Sequence, residues 1–197
     1  LLKQAKGKTT NEIEATLDVW DEKFAESGQQ LANERKNLLE TLKPEIENTL
    51  KKFTNNRDMV LFEYEQFWEN DKLIEALQIE RQTDIRRGIT TIGPHRDEIV
   101  IKVNGLLAKS HASQGEQRSL ALGLRLGGHE LVKKTTGNEP IILLDDVFSE
   151  LDSTRCQTLI ELLPKKQAVL TTTGELPSGV KPDYKYHVVE GSINSSE

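Results

Sequence analysis

The chain has 197 residues, a formal net charge of −6, 36% hydrophobic residues and 29% charged ones. That length and apolar share suit one or two domains with cores of their own, and the acidic balance argues against a surface coated in positive charge for nucleic acid, while leaving room for a local basic face. No apolar run is long enough for a transmembrane helix or a signal-peptide core, and the single cysteine, Cys156, builds neither a disulfide framework nor a thiolate metal site and fits a reducing cytoplasm.

In chain order, Lys6-Gly7-Lys8-Thr9 ends as a phosphate-binding loop ends. The upstream Leu2, Lys3, Gln4 and Ala5 supply neither the earlier glycine nor the leading strand that such a loop needs, so a flexible polar terminus is expected. Residues 10–56 have a helical period through Ile13, Leu17, Trp20, Phe24, Leu31, Leu38, Leu42, Ile46, Leu50 and Phe53, with Trp20 and Phe24 as core anchors. Gly28 and Pro44 are its weak points, and Pro44 is expected to end one helix or open the next. Asn55-Asn56-Arg57-Asp58 signals a turn, and Met59 to Tyr64 a strand. Asp71 to Ile85 returns to a helical period that Gly88 can cap. The composition changes there, and this predicts a division into a mainly helical domain over 1–88 and a mixed region over 89–197.

Ile89 to Ile92 reads as a short β segment leading into the Gly93-Pro94-His95-Arg96-Asp97 turn. Ile99, Ile101 and Val103 alternate as a strand. Asn104-Gly105 signals a hairpin, Leu106 to Lys109 returns, and Ser110 to Ala112 is a loop. Ser113 and Glu116 form a capping box, so a helix starts at Ser113 and leaves the N–H groups of Gln114 and Gly115 facing outward, as an anion site needs. That helix runs on through Leu131, with Gly127-Gly128 marking a close backbone approach or a weak point. Ile141 to Asp146 reads as a buried strand that delivers two carboxylates to a sheet edge. Asp152 caps a helix over 153–163, Ala168 to Thr173 and Tyr186 to Glu190 read as strands, and the tail from Ser192 is expected to fray. An anion end and a paired-carboxylate end within one segment point to nucleotide phosphates and Mg²⁺.

At these residues the chain resembles the ABC-type ATPase heads of the SMC and RecF group, and the RecF family more closely than the wider class. Ser113-Gln114-Gly115-Glu116-Gln117 resembles the signature motif. Ile141 to Asp146 resembles Walker B, with Asp146 where most ABC ATPases carry Glu. Ser149-Glu150-Leu151-Asp152 resembles the D-loop. Thr171-Thr172-Thr173 stands at the switch region, where many carry His. Gly93 to Asp97, Ser113 to Ser119 and Leu143 to Asp152 occur together and in the family's order, and Leu17-Asp18-Val19-Trp20-Asp21 is similar to its helical region. The implied fold is mixed α/β: a helical domain with a small strand element over 1–88, then the signature and Walker B part of an ABC-type head over 89–197.

The resemblance implies a cytoplasmic recombination mediator that binds ATP and Mg²⁺, forms an ATP-dependent homodimer, binds double-stranded or gapped DNA, and works with RecO and RecR to load RecA. It implies Asp145 as the Mg²⁺ ligand and Asp146 as the general base or water-orienting group, with Ser113, Gln114, Gly115, Glu116 and Gln117 acting across a dimer. Arg81, Arg86 and Arg87 are candidates for DNA phosphates, and His95 is read as structural. Two other readings are a different SMC-like or OLD-type head, against which Gly93 to Asp97 argues, and a helical protein-interaction module without catalysis. Because the chain begins with Leu1 and shows no phosphate-binding loop, it is expected to be a C-terminal fragment that neither binds ATP tightly nor hydrolyses it. Titration calorimetry of this chain with ATP should give no micromolar binding; a micromolar isotherm would overturn that expectation.

Overall fold

The computed structural model describes every residue except 6, 8, 55, 56, 165 and 197. The Lys6/Lys8 part of the loop-like terminus and the Asn55-Asn56 turn signal therefore lie outside the described residues. The segment before Gly7 is a short helix, α1 (Leu2–Ala5), rather than a leading strand. Ala5 is buried with Leu17 and Ile85, so this terminus packs down instead of running free.

One helix organises the rest. α2 (Asn11–Thr54) has 44 residues and contributes to each of the apolar clusters among the described residues, through Leu17, Ala32, Leu39 with Ile46 and Leu50, and Phe53. At 1.5 Å per residue it is about 66 Å long. Pro44 neither ends nor opens a helix; it lies inside α2. Interior proline costs about 3 kcal/mol in an isolated helix. Here the next turns are locked in place by packing, because Ile46 and Leu50 press on glycines of a second helix, α5 (Gln114–Thr136). A Cβ on Gly127 would lie 2.9 Å from the Ile46 backbone, and one on Gly123 2.4 Å from Leu50 Cδ2. The expected close approach at Gly127 is therefore real, whereas Gly128 faces open space. Gly28 serves the same purpose on α2, since a Cβ there would meet Leu73 at 2.7 Å. Trp20 is not a core anchor. It is 60% exposed, with Lys23 Nζ 5.8 Å from its ring centroid.

β1 (Val60–Glu65), β2 (Glu98–Val103) and β3 (Leu106–Leu107) form an antiparallel sheet that packs Phe62 and Val103 against Leu39, Ile46 and Leu120. Between β1 and β2 lies α3 (Leu73–Arg87), closed by Gly88 in the left-handed region with φ 70°. Contacts thus cross residue 88: β1 pairs with β2, and α2 packs on α5. Residues 89–92 do not form a strand. Thr91 is instead drawn onto buried Asp84 of α3, donating from its N–H at 2.9 Å and from its hydroxyl at 2.5 Å. Ile99 is exposed while Val100 and Val103 are buried, so the inward positions of β2 depart from the Ile99-Ile101-Val103 alternation. Asn104 and Gly105 both have positive φ, as a tight hairpin turn requires. The returning strand is only two residues long, because Ala108 drops into the core and opens α4 (Ala108–His111), which takes up Lys109 to His111.

The second layer is β4 (Ile142–Asp145) paired in parallel with β5 (Ala168–Thr171), with α6 (Ser153–Leu162) between them in sequence. Leu122, Leu126, Ile142, Phe148 and Leu159 fill the space between α5, β4 and α6. The tail does not fray: β6 (Lys185–Val189) pairs with β7 (Ser192–Ser196) through a Glu190-Gly191 turn in which both residues have positive φ.

The helix crossing sets a paired test. Gly127→Ala should lower unfolding stability by about 1–3 kcal/mol through overpacking. Gly128→Ala should raise it by about 0.5–1 kcal/mol through helix propensity. Urea denaturation of both variants reads the difference, and equal effects would refute the crossing.

Candidate functional site

Ser113 is extended (φ −60°, ψ 160°) and caps α5 with both halves of a capping box. Glu116 N–H donates to Ser113 Oγ at 3.3 Å, and Ser113 N–H donates to Glu116 Oε2 at 2.6 Å. Gln117 N–H closes the first helical bond on the Ser113 carbonyl at 2.9 Å. Two main-chain donors of the first turn, on Gln114 and Gly115, have no intrahelical partner. Hydrogen bonds from Ser113, and then the Arg155 charge, hold the Glu116 carboxyl below the usual carboxylate range. The Gln117 amide turns back to the Ala112 carbonyl at 3.0 Å and holds the loop that feeds the helix.

The acidic pair sits at the C-terminal end of β4, opposite Thr171 of β5. The Thr171 hydroxyl donates to Asp145 Oδ1 and accepts from Asp146 N–H at 3.1 Å. Asp146 leaves the strand in the left-handed region at φ 46°, a conformation that Asp tolerates better than most residues. A 3₁₀ turn (Val147–Glu150) follows, in which Ser149 Oγ lies 2.9 Å from the Asp146 carbonyl and 3.1 Å from its Oδ2. Asp146 Oδ1 is buried without a hydrogen-bond partner. A buried, unpartnered carboxylate oxygen is costly unless a proton, a water or a cation completes it, and this suits a metal or water site. Of the switch region, Thr171 is engaged with the acidic pair, Thr172 Oγ1 accepts from Gly174 N–H at 3.2 Å, and Thr173 is exposed.

Ser149, Glu150, Leu151 and Asp152 connect the two clusters. Leu151 packs on the apolar core beside Phe148, and Asp152 caps α6 by accepting from Arg155 N–H at 2.9 Å. That bond, and then the Arg155 guanidinium, hold Asp152 below the usual carboxylate range. Ser113, Glu116, Ser119, Asp152 and Arg155 border one cavity of about 410 Å³ between the starts of α5 and α6 and the end of α2. Arg155 was not singled out from the sequence. The available signal was the Asp152-to-Arg155 spacing, which returns the arginine to its own helix cap.

The Gly93 to Asp97 turn ties α2 to β1. Gly93 has φ 127°, and a Cβ there would meet Phe24 at 2.7 Å. The Pro94 carbonyl accepts from Arg35 of α2, and Asp97 accepts from the Tyr64 hydroxyl of β1 at 2.7 Å. Burial and then this bond push the Tyr64 phenol above its ordinary value. His95 packs edge-on against Phe24 and contacts the Thr90 carbonyl at 2.9 Å, and Arg96 closes the turn through its N–H to the Gly93 carbonyl at 2.8 Å. Among the DNA candidates, Arg81 needs correction. Its side chain is 16% exposed and pairs with Asp18 and Asp21, so it ties α3 to α2. Arg86 and Arg87 are exposed in the last turn of α3.

Among the described residues, no helix is long and apolar enough to cross a membrane. No family model matches the chain. It is 38% identical to the DNA replication and repair protein RecF of Alkaliphilus oremlandii, over 98% of this chain and 55% of that relative. It is 36% identical to the RecF of Streptomyces avermitilis over 91% of this chain and 51% of the relative, and 35% identical to that of Agathobacter rectalis over 90% and 50%. The chain spans about half the length of these curated relatives. A solved structure of the recombination mediator protein RecF with ATP, in the RecFOR pathway, matches all of this chain and 54% of its own at TM-score 0.82 and 30% identity. A second such structure, RecF-ATPrS, matches at TM-score 0.80 and 30% identity, over 99% and 54%.

Because Glu116 and Asp152 are held below their ordinary values, the unfolded chain binds their protons first, so stability rises with pH across that range. Their contribution is full above the ordinary carboxylate range and is lost as pH falls below about 4. Glu116→Gln keeps the box geometry but removes the charge at the helix start. It should lower stability at neutral pH by about 0.3–1 kcal/mol and flatten the acid loss. Urea unfolding at pH 3 and pH 7 tests this, and an unchanged pH slope would show that Glu116 contributes nothing to it.

Proposed function

We propose, on the premise that the chain belongs to the RecF family and spans about half its relatives' length, that it is the signature- and Walker B-bearing part of an ATP-controlled, DNA-binding recombination mediator. The observation that carries this reading is the end of β4: Asp145 and Asp146 hydrogen-bonded to Thr171 on the parallel neighbour, with Asp146 Oδ1 buried and unpartnered.

On this reading Asp145 holds Mg²⁺ and Asp146 orients or deprotonates the attacking water. Bound Mg²⁺ would supply charge neutralisation on the phosphates. Ser113 Oγ–H and the N–H groups of Gln114 and Gly115 serve a γ-phosphate carried by a facing copy, which makes the homodimer ATP-dependent. Ser149 to Asp152 form the D-loop, and Thr171 to Thr173 the switch region. The P-loop belongs to the relatives' remaining length. Apolar side chains open on β4–β5 and β6–β7 support this: Leu143 is 74% exposed, and Tyr186, Val188 and Ile193 are all exposed, as surfaces that the remainder of a head would cover. We propose the division at residue 88 as one of roles, a helical arm over 1–88 and a head part over 89–197, since the β1–β2 pairing joins the two physically. The partners are DNA, RecO and RecR, with RecA loading at gapped DNA as the outcome.

In the complete protein, Asp146→Asn should lower ATP turnover by about 10²–10⁴-fold while ATP-dependent dimerisation persists. Turnover at the wild-type rate would remove the role given to Asp146. Arg86 and Arg87 are proposed DNA-phosphate contacts. Replacing either with Ala should weaken binding across sequences and reduce the logarithmic salt slope by about 1. An unchanged slope would exclude the arginine replaced.

A further inference from the structure

We infer that Arg155 is a positioning residue that fastens the D-loop to the phosphate-facing start of α5, and that residue 115 is glycine because this guanidinium lies against it. The inference rests on the nucleotide reading above and deepens it.

The observations form a closed chain of contacts. The Arg155 guanidinium pairs through Nη1 with Asp152, the last residue of the D-loop and the cap of its own helix. Its Nε donates to Ser119 Oγ at 2.8 Å. Ser119 is 2% exposed, and its hydroxyl donates to the Gly115 carbonyl at 3.0 Å. The guanidinium then covers Gly115: a Cβ built there would lie 3.2 Å from Cζ and from Nη1 and 3.3 Å from Nη2. Gly115 is an ordinary helical residue without positive φ, so its backbone conformation does not call for glycine. Alanine is the better helix former. What excludes a side chain is a guanidinium pinned by two bonds, which would have to shift by a few tenths of an ångström and strain both.

The consequence is mechanical. The Gly115 N–H is one of the donors left free at the start of α5, and Arg155 holds the peptide unit behind it in register with Asp152. Movement of the D-loop is thereby transmitted to the phosphate-facing donors through one side chain. Lysine cannot replace it fully, because a single ammonium lacks the planar fork that serves Ser119 and Asp152 at once.

The test uses the complete protein, with dimer fraction against ATP concentration measured by sedimentation and the thermal midpoint recorded for each variant. R155A should raise the ATP needed for half-dimerisation by about tenfold. R155K should recover part of that loss. G115A should impair dimerisation without lowering the thermal midpoint, and should add nothing further in the R155A background, because the contact it disturbs is already gone. R155A dimerising at wild-type ATP concentrations would overturn the inference, as would G115A and R155A effects that simply add. Should R155A fail to fold, R155K decides: wild-type behaviour overturns the inference and partial loss supports it. A wild-type protein that stays monomeric in ATP would overturn the nucleotide reading and this inference with it, whereas a dimerising wild type with indifferent variants overturns only the inference.

Discussion

The close crossing of α2 and α5 is the constraint on which the rest of the molecule depends. Two glycines, Gly123 and Gly127, let Leu50 and the Ile46 backbone approach α5 to distances that no side chain would permit. That contact holds α2 helical across Pro44, and it fixes α5 as a rigid rod whose first turn carries the free main-chain donors of Gln114 and Gly115. The same row of small residues continues toward the start of the helix. Gly115, Ser119, Gly123 and Gly127 recur every fourth position, so they lie along one slowly turning ridge of α5. The C-terminal half of this ridge receives α2, and the N-terminal half receives the Arg155 guanidinium. One packing device therefore serves the fold at one end of the helix and the site at the other.

The site itself is open in two senses. At α5 the capping box satisfies the donors of Ser113 and Glu116 internally and leaves those of Gln114 and Gly115 for something outside the chain. At β4, Thr171 satisfies one oxygen of Asp145 and the N–H of Asp146, while Asp146 Oδ1 is left buried and unpartnered. Both arrangements are tight where the chain meets itself and leave polar groups without a partner among the described residues. The Gly93 to Asp97 turn plays a different part. Its contacts run to Phe24, Arg35 and Tyr64, so it holds α2 and the small sheet together.

Local chemistry made much of this legible in the sequence. The capping box at Ser113, the Asn104-Gly105 turn, the Gly88 stop and the Asp152 cap each depend on side chains within a few residues, and each lies where its motif predicts. Features that depend on distant partners were less legible. Pro44 reads as a break because local propensity is all that the sequence displays, and the compensating contact comes from a helix some eighty residues away. Trp20 follows the helical period of its neighbours, yet it lies on a flank of α2 that the described residues leave exposed. Ile89 to Ile92 look β-forming, but Asp84 draws Thr91 onto α3 instead. Arg81 reads as a free cation until Asp18 and Asp21 arrive from α2.

By itself the sequence determined the kind of chemistry on offer: a capped helix start with spare donors, paired carboxylates ending an apolar strand, and their order along the chain. These follow from short-range hydrogen bonding and periodicity, which survive in any context. Only the tertiary structure decided which of these groups meet, because side-chain partners such as Arg155 with Ser119, or Thr171 with Asp145, are separated by tens of residues and are brought together by packing alone. It also decided why residue 115 is glycine. The sequence shows a small residue in the first turn of a capped helix, whereas the fold shows a guanidinium pinned against it from the neighbouring helix.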